Sequence, residues 1–153
     1  MQKKPCEDKA LCKSFHYPSI SLIVPAYNKE KHISKCITSL FKTAAQHPNF
    51  CEIIVVDNGS SDFTYEIAWA TIQRCRRRWP NIKGKVIRYG INTSWAEAIK
   101  IGVNSAFGEL ILILDANVWW ELSIINKILE KSCDGEYCLE MRKNVKVFPN
   151  PWI

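Results

Sequence analysis

Short apolar runs alternate along the chain with stretches in which apolar residues recur every three or four positions. The clearest runs are residues 19–24 (SISLIV), 52–56 (EIIVV) and 109–114 (ELILIL), with a weaker one over residues 85–89. Runs of this length and continuity predict strands buried on both faces. Pro25, which cannot donate to a sheet ladder, is expected to stop the first strand. Between the runs the period changes. Residues 31–45 set Ile33, Ile37, Leu40, Phe41 and Ala44 on one helical face. A second helix is predicted after the polar turn DNGSSD, with Ser60, Ser61 or Asp62 as its cap, Phe63, Ile67 and Ala70 on its inner face, and Pro80 closing the segment. A third helix over residues 95–106 aligns Trp95, Ile99, Gly102, Val103 and Ala106, and a fourth is expected over residues 121–132.

Apolar strands alternating with amphipathic helices predict an α/β fold, a mostly parallel sheet with helices on both faces. In such sheets ligands bind beyond the carboxyl ends of the strands, near the point where strand order reverses. Polar clusters follow three of the four predicted strands: residues 25–30, residues 57–62 and residues 115–117. One crevice can collect all three. Asp57 ends a buried strand, where a carboxylate can accept a ring N–H of a base or act as a turn residue. Tyr27 offers a flat face for a base or fills a half-buried position. Asp115 and Asn117, two oxygen-bearing side chains at i and i+2 after a strand, can hold a ribose and a divalent cation beside a diphosphate.

The composition is that of a globular chain: 153 residues, 47% hydrophobic and 24% charged, with neither low complexity nor an apolar run long enough to span a membrane. Residues 1–17 are polar and irregular and are expected to form a flexible N-terminal arm without the apolar core of a secretory signal, leaving residues 18–153 as the folded domain. Seven cysteines, with no Cys-x-x-Cys spacing, fit reduced thiols in the cytosol, and Cys36 and Cys51 fit small core residues. The net charge of +6 is local. Arg74, Arg76, Arg77, Arg78, Lys83, Lys85 and Arg88 fall in one segment without an acidic residue. Such a segment suits a helix end, an anionic membrane surface or an anionic substrate. Nucleic acid is disfavoured, because only Trp79 and Tyr89 could supply stacking within it or at its edge.

Taken together, three strings are more specific than any one of them. SLIVPAYNKEKHISKCITSL (residues 21–40), EIIVVDNGSSDFT (52–64) and NTSWAEAIKIGVNSAFGELILILDAN (92–117) resemble, in order, spacing and strand context, the family-2 glycosyltransferases. The resemblance implies the GT-A fold, a Rossmann-like, mostly parallel sheet whose N-terminal half binds a nucleotide-diphospho-sugar. It implies that Pro25, Ala26, Tyr27 and Glu30 line the nucleotide pocket, that Asp57 reads a uracil or guanine base, and that Asp115 contacts the ribose or a metal–diphosphate. The implied reaction is transfer of a sugar from a UDP- or GDP-sugar to an acceptor hydroxyl, with inversion, assisted by a carboxylate base and by Mg2+ or Mn2+ held at Asp115 and Asn117. The implied acceptor is a lipid-linked or glycan hydroxyl, and the implied location is cytoplasmic, peripheral at the membrane face. The sequence departs from the family pattern at Ser94 (a glycine there in the family), at Ile99 (often an arginine) and at Asn117 (the second aspartate of Asp-x-Asp), which lowers the charge offered to a cation. Residues 118–153 contain Asp134, Glu136 and Glu140 but no catalytic motif, so the acceptor-binding half is expected to be incomplete. A non-catalytic relative that binds the nucleotide or a protein partner is the alternative that these departures favour.

Overall fold

The computed structural model describes residues 19–46, 50–117 and 145–149. The predicted helix over residues 121–132, the N-terminal arm, and Asp134, Glu136 and Glu140 lie outside the described residues.

Among the described residues, five strands and three helices follow in chain order as β1 (Ile20–Ala26), α1 (Ile33–Ala45), β2 (Phe50–Asp57), α2 (Thr64–Arg78), β3 (Lys83–Arg88), α3 (Trp95–Ser105), β4 (Leu110–Leu114) and β5 (Val145–Pro149). They form one sheet in the order β3-β2-β1-β4-β5. The first four strands are parallel, and β5 runs antiparallel against β4. Every residue of β1 and β4 is buried, whereas β3, at the sheet edge, is only half covered. Strand order runs outward from β1 to β2 to β3 and then returns to place β4 on the other side of β1. The crevice expected of such sheets therefore opens between the carboxyl ends of β1 and β4.

Alternation along the strands divides the core in two. Leu22, Val24, Ile53, Val55, Leu110, Leu112 and Leu114 face α1 and α2. Ile23, Ile54, Val56, Ile111 and Ile113 face α3. The predicted α1 face is the observed one: Ile33, Ile37, Leu40, Phe41 and Ala44 are all buried, together with Cys36. Helix α3 approaches the sheet so closely that a Cβ on Gly102 would lie 2.6 Å from Ile23 Cγ2.

Two expectations are corrected, and one strand was not expected. Pro25 does not stop β1, which continues to Ala26. The Ala26 carbonyl accepts Asn58 N–H on the β2 side, so the nitrogen of Pro25 faces the β4 side, where the β1–β4 ladder has already ended at Ile23–Ile113. A missing N–H costs nothing at that position. The inner face of α2 is not Phe63, Ile67 and Ala70 but Thr64, Ala68, Thr71, Ile72 and Cys75. Phe63 and Ala70 are exposed, and Ile67 is half-buried against the core. The true face is partly polar because Thr64 and Thr71 bond to groups on neighbouring segments, Lys29 N–H and Ser34 Oγ. Strand β5 has no counterpart in the predicted elements.

At the amino ends of the strands, buried Glu52 ties β2 to three other segments. Its Oε1 accepts the Ser21 hydroxyl at 2.7 Å and the Phe107 N–H at 2.8 Å, and Lys85 Nζ stands 3.5 Å from its Oε2. Ser21 Oγ in turn accepts Gly108 N–H at 2.8 Å, fixing the chain as it enters β4. Replacing Glu52 by Ala strands a buried hydroxyl and an amide and leaves Lys85 without its carboxylate. We expect Glu52→Ala to lower unfolding free energy by about 3 kcal/mol in urea denaturation, and Ser21→Ala by about 1 kcal/mol.

Candidate functional site

Because β1, β2 and β4 are parallel, their carboxyl ends lie together, and with them Ala26, Asp57 and Asp115. The register pairs Ala26 directly with Asp57. All three predicted clusters thus gather at one end of the sheet, although their residues play different parts.

Asp57 is wholly buried. Its Oδ1 accepts Ser60 N–H at 3.4 Å. Its Oδ2 is buried without a hydrogen-bond partner among the described residues, with the Nε of Arg88 at 3.6 Å. A buried acceptor left open is costly and calls for an explanation. Arg88 is itself held from the side: its guanidinium lies 4.7 Å from the Tyr65 ring centroid, and its Nη1 is 3.4 Å from Glu66 Oε1. Arg88 was expected only as part of a basic surface segment. Its place opposite Asp57 follows from the β2–β3 register, which pairs the two residues and which sequence periodicity does not reveal.

The loop after β1 is laced to the loop after β2. Asn28 takes up a left-handed backbone (φ 49°), which Asn tolerates better than most residues. Three successive amides then point at the second loop: Asn28 N–H donates to Ser60 Oγ, Lys29 N–H to Thr64 Oγ1 and Glu30 N–H to Asp62 Oδ2, at 2.9, 2.7 and 3.2 Å. Return bonds come from Ser61 N–H to Asn28 Oδ1 (2.9 Å) and from Phe63 N–H to Glu30 Oε2 (3.1 Å). Glu30, expected to line the pocket, accepts through Oε2 an amide at the start of α2. The N-cap position of α2 falls to Phe63, which makes no side-chain cap bond, rather than to Ser60, Ser61 or Asp62; Asp62, one residue further out, accepts Thr64 N–H at 2.9 Å on Oδ1 as well as the Thr64 hydroxyl. Tyr27, 41% exposed, stands at the lip of the crevice with Pro25 and Ala26 buried behind it.

Asp115 follows β4 and is half-buried, Ala116 is buried in the core and Asn117 is exposed. Asp115 Oδ1 accepts Asn117 N–H at 2.8 Å, a tight turn that brings residues 115 and 117 together. Both supply oxygen donors of the kind a hard divalent cation takes. Among the described residues no group of three or more His, Cys, Asp or Glu side chains forms a cation site of its own. Beneath Asp115, the Cys36 thiol is pushed up to about 12, first by burial and then by the Asp115 carboxylate. It stays protonated at neutral pH and is no nucleophile.

Ties on the other face of β2 were not foreseen. Asn58 bonds to Thr93, and Gly59, in a left-handed conformation (φ 72°), backs onto residues 91 and 92. The Asn-Gly pair marks a turn in sequence, but its partner is a loop more than thirty residues away.

Comparison with known proteins fits this architecture. The model of the family described as glycosyl transferase family 2 matches residues 21–151. A human dolichyl-phosphate beta-glucosyltransferase is 35% identical over 103 residues, which are 64% of this chain and 31% of that protein. A dolichol-phosphate mannosyltransferase of Pyrococcus furiosus is 30% identical over 116 residues, 76% of this chain and 30% of that protein. The chain thus spans about a third of the length of these relatives. Among solved structures, S. aureus TarS 1–349 in complex with UDP superposes with a TM-score of 0.58 at 26% identity, covering 74% of this chain and 32% of that one. The mannosyltransferase PcManGT of Pyrobaculum calidifontis, in complex with GDP-Man and Mn2+, gives a TM-score of 0.60 at 21% identity over 84% of this chain and 34% of that one, a likeness of fold.

The lacing makes a pH prediction. Burial acts to raise the Asp62 carboxyl, but bonds from the Thr64 hydroxyl and N–H and from Glu30 N–H outweigh it and hold the group below its usual range. A lowered folded-state value stabilises above the unfolded value of about 3.9, and that contribution is lost as pH falls through the folded value. Asp62→Asn should therefore melt below the wild-type chain at neutral pH, and the gap should close below about pH 4 in a thermal melt series.

Proposed function

Because the chain belongs to glycosyl transferase family 2, we propose that it binds a nucleotide-diphospho-sugar, with a uracil or guanine base, and serves transfer of the sugar to an acceptor oxygen. The observation that carries this reading is Asp57: a buried carboxylate oxygen that, among the described residues, has Arg88 Nε at 3.6 Å but no hydrogen-bond donor, at the strand end beside the crevice. A ring N–H of a base would supply the missing donor. Tyr27 then offers the base a face, and Pro25 and Ala26 form the wall behind it.

The diphosphate needs charge and donors. The amides of Asn28, Lys29 and Glu30 are already spent on the second loop, so that loop cannot cradle phosphate oxygens as a glycine-rich turn does. Asp115 and Asn117, with their paired oxygen donors, fit a Mg2+ or Mn2+ ion shared with the diphosphate. When bound, such an ion neutralises the charge that gathers on the departing diphosphate. One carboxylate and one amide hold it more weakly than two carboxylates. The relatives named for dolichyl phosphate and dolichol phosphate support a lipid phosphate in the acceptor's place. Its phosphate oxygen, rather than a carbon-bound hydroxyl, would then attack the anomeric carbon from the side opposite the diphosphate, which departs as the nucleoside diphosphate, so that configuration inverts.

We also propose a cytoplasmic chain peripheral to a membrane. Arg74, Arg76, Arg77, Arg78 and Lys83 are exposed and suit an anionic leaflet. They cluster toward the end of α2 and the start of β3, so the leaflet would meet the end of the sheet away from the crevice, about 20 Å distant by the length of the helix. Lys85 and Arg88 do not belong to that surface, being turned toward Glu52 and Asp57.

Isothermal titration with UDP, GDP, UDP-glucose and GDP-mannose in the presence of Mn2+ tests the reading. At least one should bind, Asp57→Ala should weaken it tenfold or more, and Asn117→Asp should tighten the Mn2+-dependent part by roughly tenfold. Absence of binding to all four overturns it; binding without transfer to any acceptor points to the non-catalytic relative. For the membrane face, replacing Arg76, Arg77 and Arg78 together by Ala should abolish co-sedimentation with phosphatidylserine vesicles. Equal sedimentation of the two chains, or none by the wild type, removes that part.

A further inference from the structure

Asp57 and Asn58 are neighbours at the end of β2, and their side chains leave on opposite faces of the sheet. Asp57 turns toward the α2 side, where Arg88 and Tyr65 lie. Asn58 turns toward α3, is 6% exposed, and bonds through both its amide nitrogen and its amide oxygen to one residue. Its Nδ2 donates to the Thr93 carbonyl at 2.7 Å, while its Oδ1 accepts the Thr93 N–H at 3.1 Å and the Thr93 hydroxyl at 2.8 Å. Next to it, Gly59 packs so tightly that a Cβ would lie 2.7 Å from Asn92 N and from the carbonyl carbon of Ile91. Immediately beyond, Ser94 Oγ accepts Glu97 N–H and starts α3. The end of β2 therefore decides where residues 90–94 and the first turn of α3 stand. Within that stretch Ile91 is 72% exposed and Trp95 is 53% exposed at the same end of the sheet as Asp57.

We propose that Asn58 is a positioning residue for the nucleotide site: its side-chain amide holds the β3–α3 loop in place, and donor binding depends on that hold. The inference rests on the nucleotide-sugar reading above. A loop already fixed beside the crevice need not be ordered when the ligand arrives, which removes an entropic penalty from binding. The pattern at Thr93 asks for a donor and an acceptor on one short side chain, which asparagine supplies. An aspartate keeps both acceptor contacts but sets an oxygen against the Thr93 carbonyl. Burial and that opposing oxygen raise the carboxyl of an Asn58→Asp chain, and only its protonated form can donate. The hold is then present in acid and lost as pH rises through the raised value. Alanine loses it at every pH.

The test compares wild type, Asn58→Asp and Asn58→Ala by titration with UDP and GDP from pH 5 to pH 7.5, each affinity taken relative to wild type at the same pH, alongside amide exchange at Thr93. Both variants should bind about tenfold more weakly at pH 7.5 and exchange faster at Thr93. The deficit of Asn58→Asp should shrink toward pH 5, while that of Asn58→Ala should not. Thr93→Val, which removes only the hydroxyl, should cost two- to threefold, and it carries the test if the Asn58 variants do not fold. Variants that lose exchange protection yet bind as wild type does overturn the proposal, as do equal, pH-independent deficits in Asn58→Asp and Asn58→Ala or unchanged binding by Thr93→Val. Wild-type chain that binds none of UDP, GDP, UDP-glucose and GDP-mannose overturns the parent reading and this one with it; if it binds only a nucleotide-sugar, that ligand is used for the variant comparison, so the two failures are distinguishable.

Discussion

A strand covered on both faces sends successive side chains to opposite sides, and the middle of this sheet obeys that rule to its last residue. In β2 it sorts Ile53 and Val55 to one half of the core and Ile54 and Val56 to the other. The same alternation, carried one step past the apolar run, gives Asp57 to the α2 side and Asn58 to the α3 side. One strand end thereby serves two jobs, leaving a buried acceptor open beside Arg88 and tying down the loop that leads into α3. A register slip of one residue would exchange the two, so the apolar packing of β2 is also what aims the polar chemistry at its tip.

The parts legible in the sequence are those in which local period and burial agree. The strands β1, β2 and β4 and the face of α1 follow from apolar pattern, because all five apolar residues expected on α1 are buried, with Thr43 the one polar side chain buried among them. The face of α2 was misread for the opposite reason. Its buried side includes Thr64 and Thr71, whose hydroxyls meet partners in the first loop and in α1, while its exposed side carries Trp69, and Phe63, just before the helix, is exposed as well. Polarity is a poor guide to a face whose polar groups are satisfied by distant residues. Strand β5 escaped because a short antiparallel addition is recognisable only once β4 is there to receive it. Motif and strand end pointed to Asp57 and Asp115, which the fold brings to the same end of the sheet, but the bond of Glu30 to Phe63 N–H spans 33 positions, which no local pattern encodes.

The laced loops explain how irregular segments become a rigid wall. A single loop after a strand must satisfy its own amides, and short polar side chains usually do so locally. Here the two loops satisfy one another: three amides of the first donate into the second, and two amides of the second donate back. Loss of one member frees groups on both sides, so the pair behaves as one body. The arrangement also restricts the chemistry, since amides used for scaffolding are withdrawn from phosphate binding. That division is consistent with charge at the far side of the crevice, where Asp115 and Asn117 stand, taking over the task that backbone amides perform in glycine-rich phosphate loops.

The basic segment changes meaning by the same logic. As sequence it is one run of seven cations. In the fold it divides by the direction of β3. Lys85 reaches the buried Glu52 at the amino end of the sheet, and Arg88, three residues on, reaches Asp57 at the carboxyl end. These two cations answer two buried carboxylates on the adjacent strand, so their charge is largely used inside the molecule. Arg76, Arg77 and Arg78 occupy the last turn of α2, where positive charge complements the helix carbonyls, and Arg78 also covers the Trp79 ring at 5.1 Å. What remains for an external partner is the arginine cluster and Lys83, a smaller and more localised charge than the run suggests, and it faces away from the crevice. The membrane contact proposed above would therefore orient the whole domain rather than touch the crevice, so that the two proposed surfaces can be altered separately.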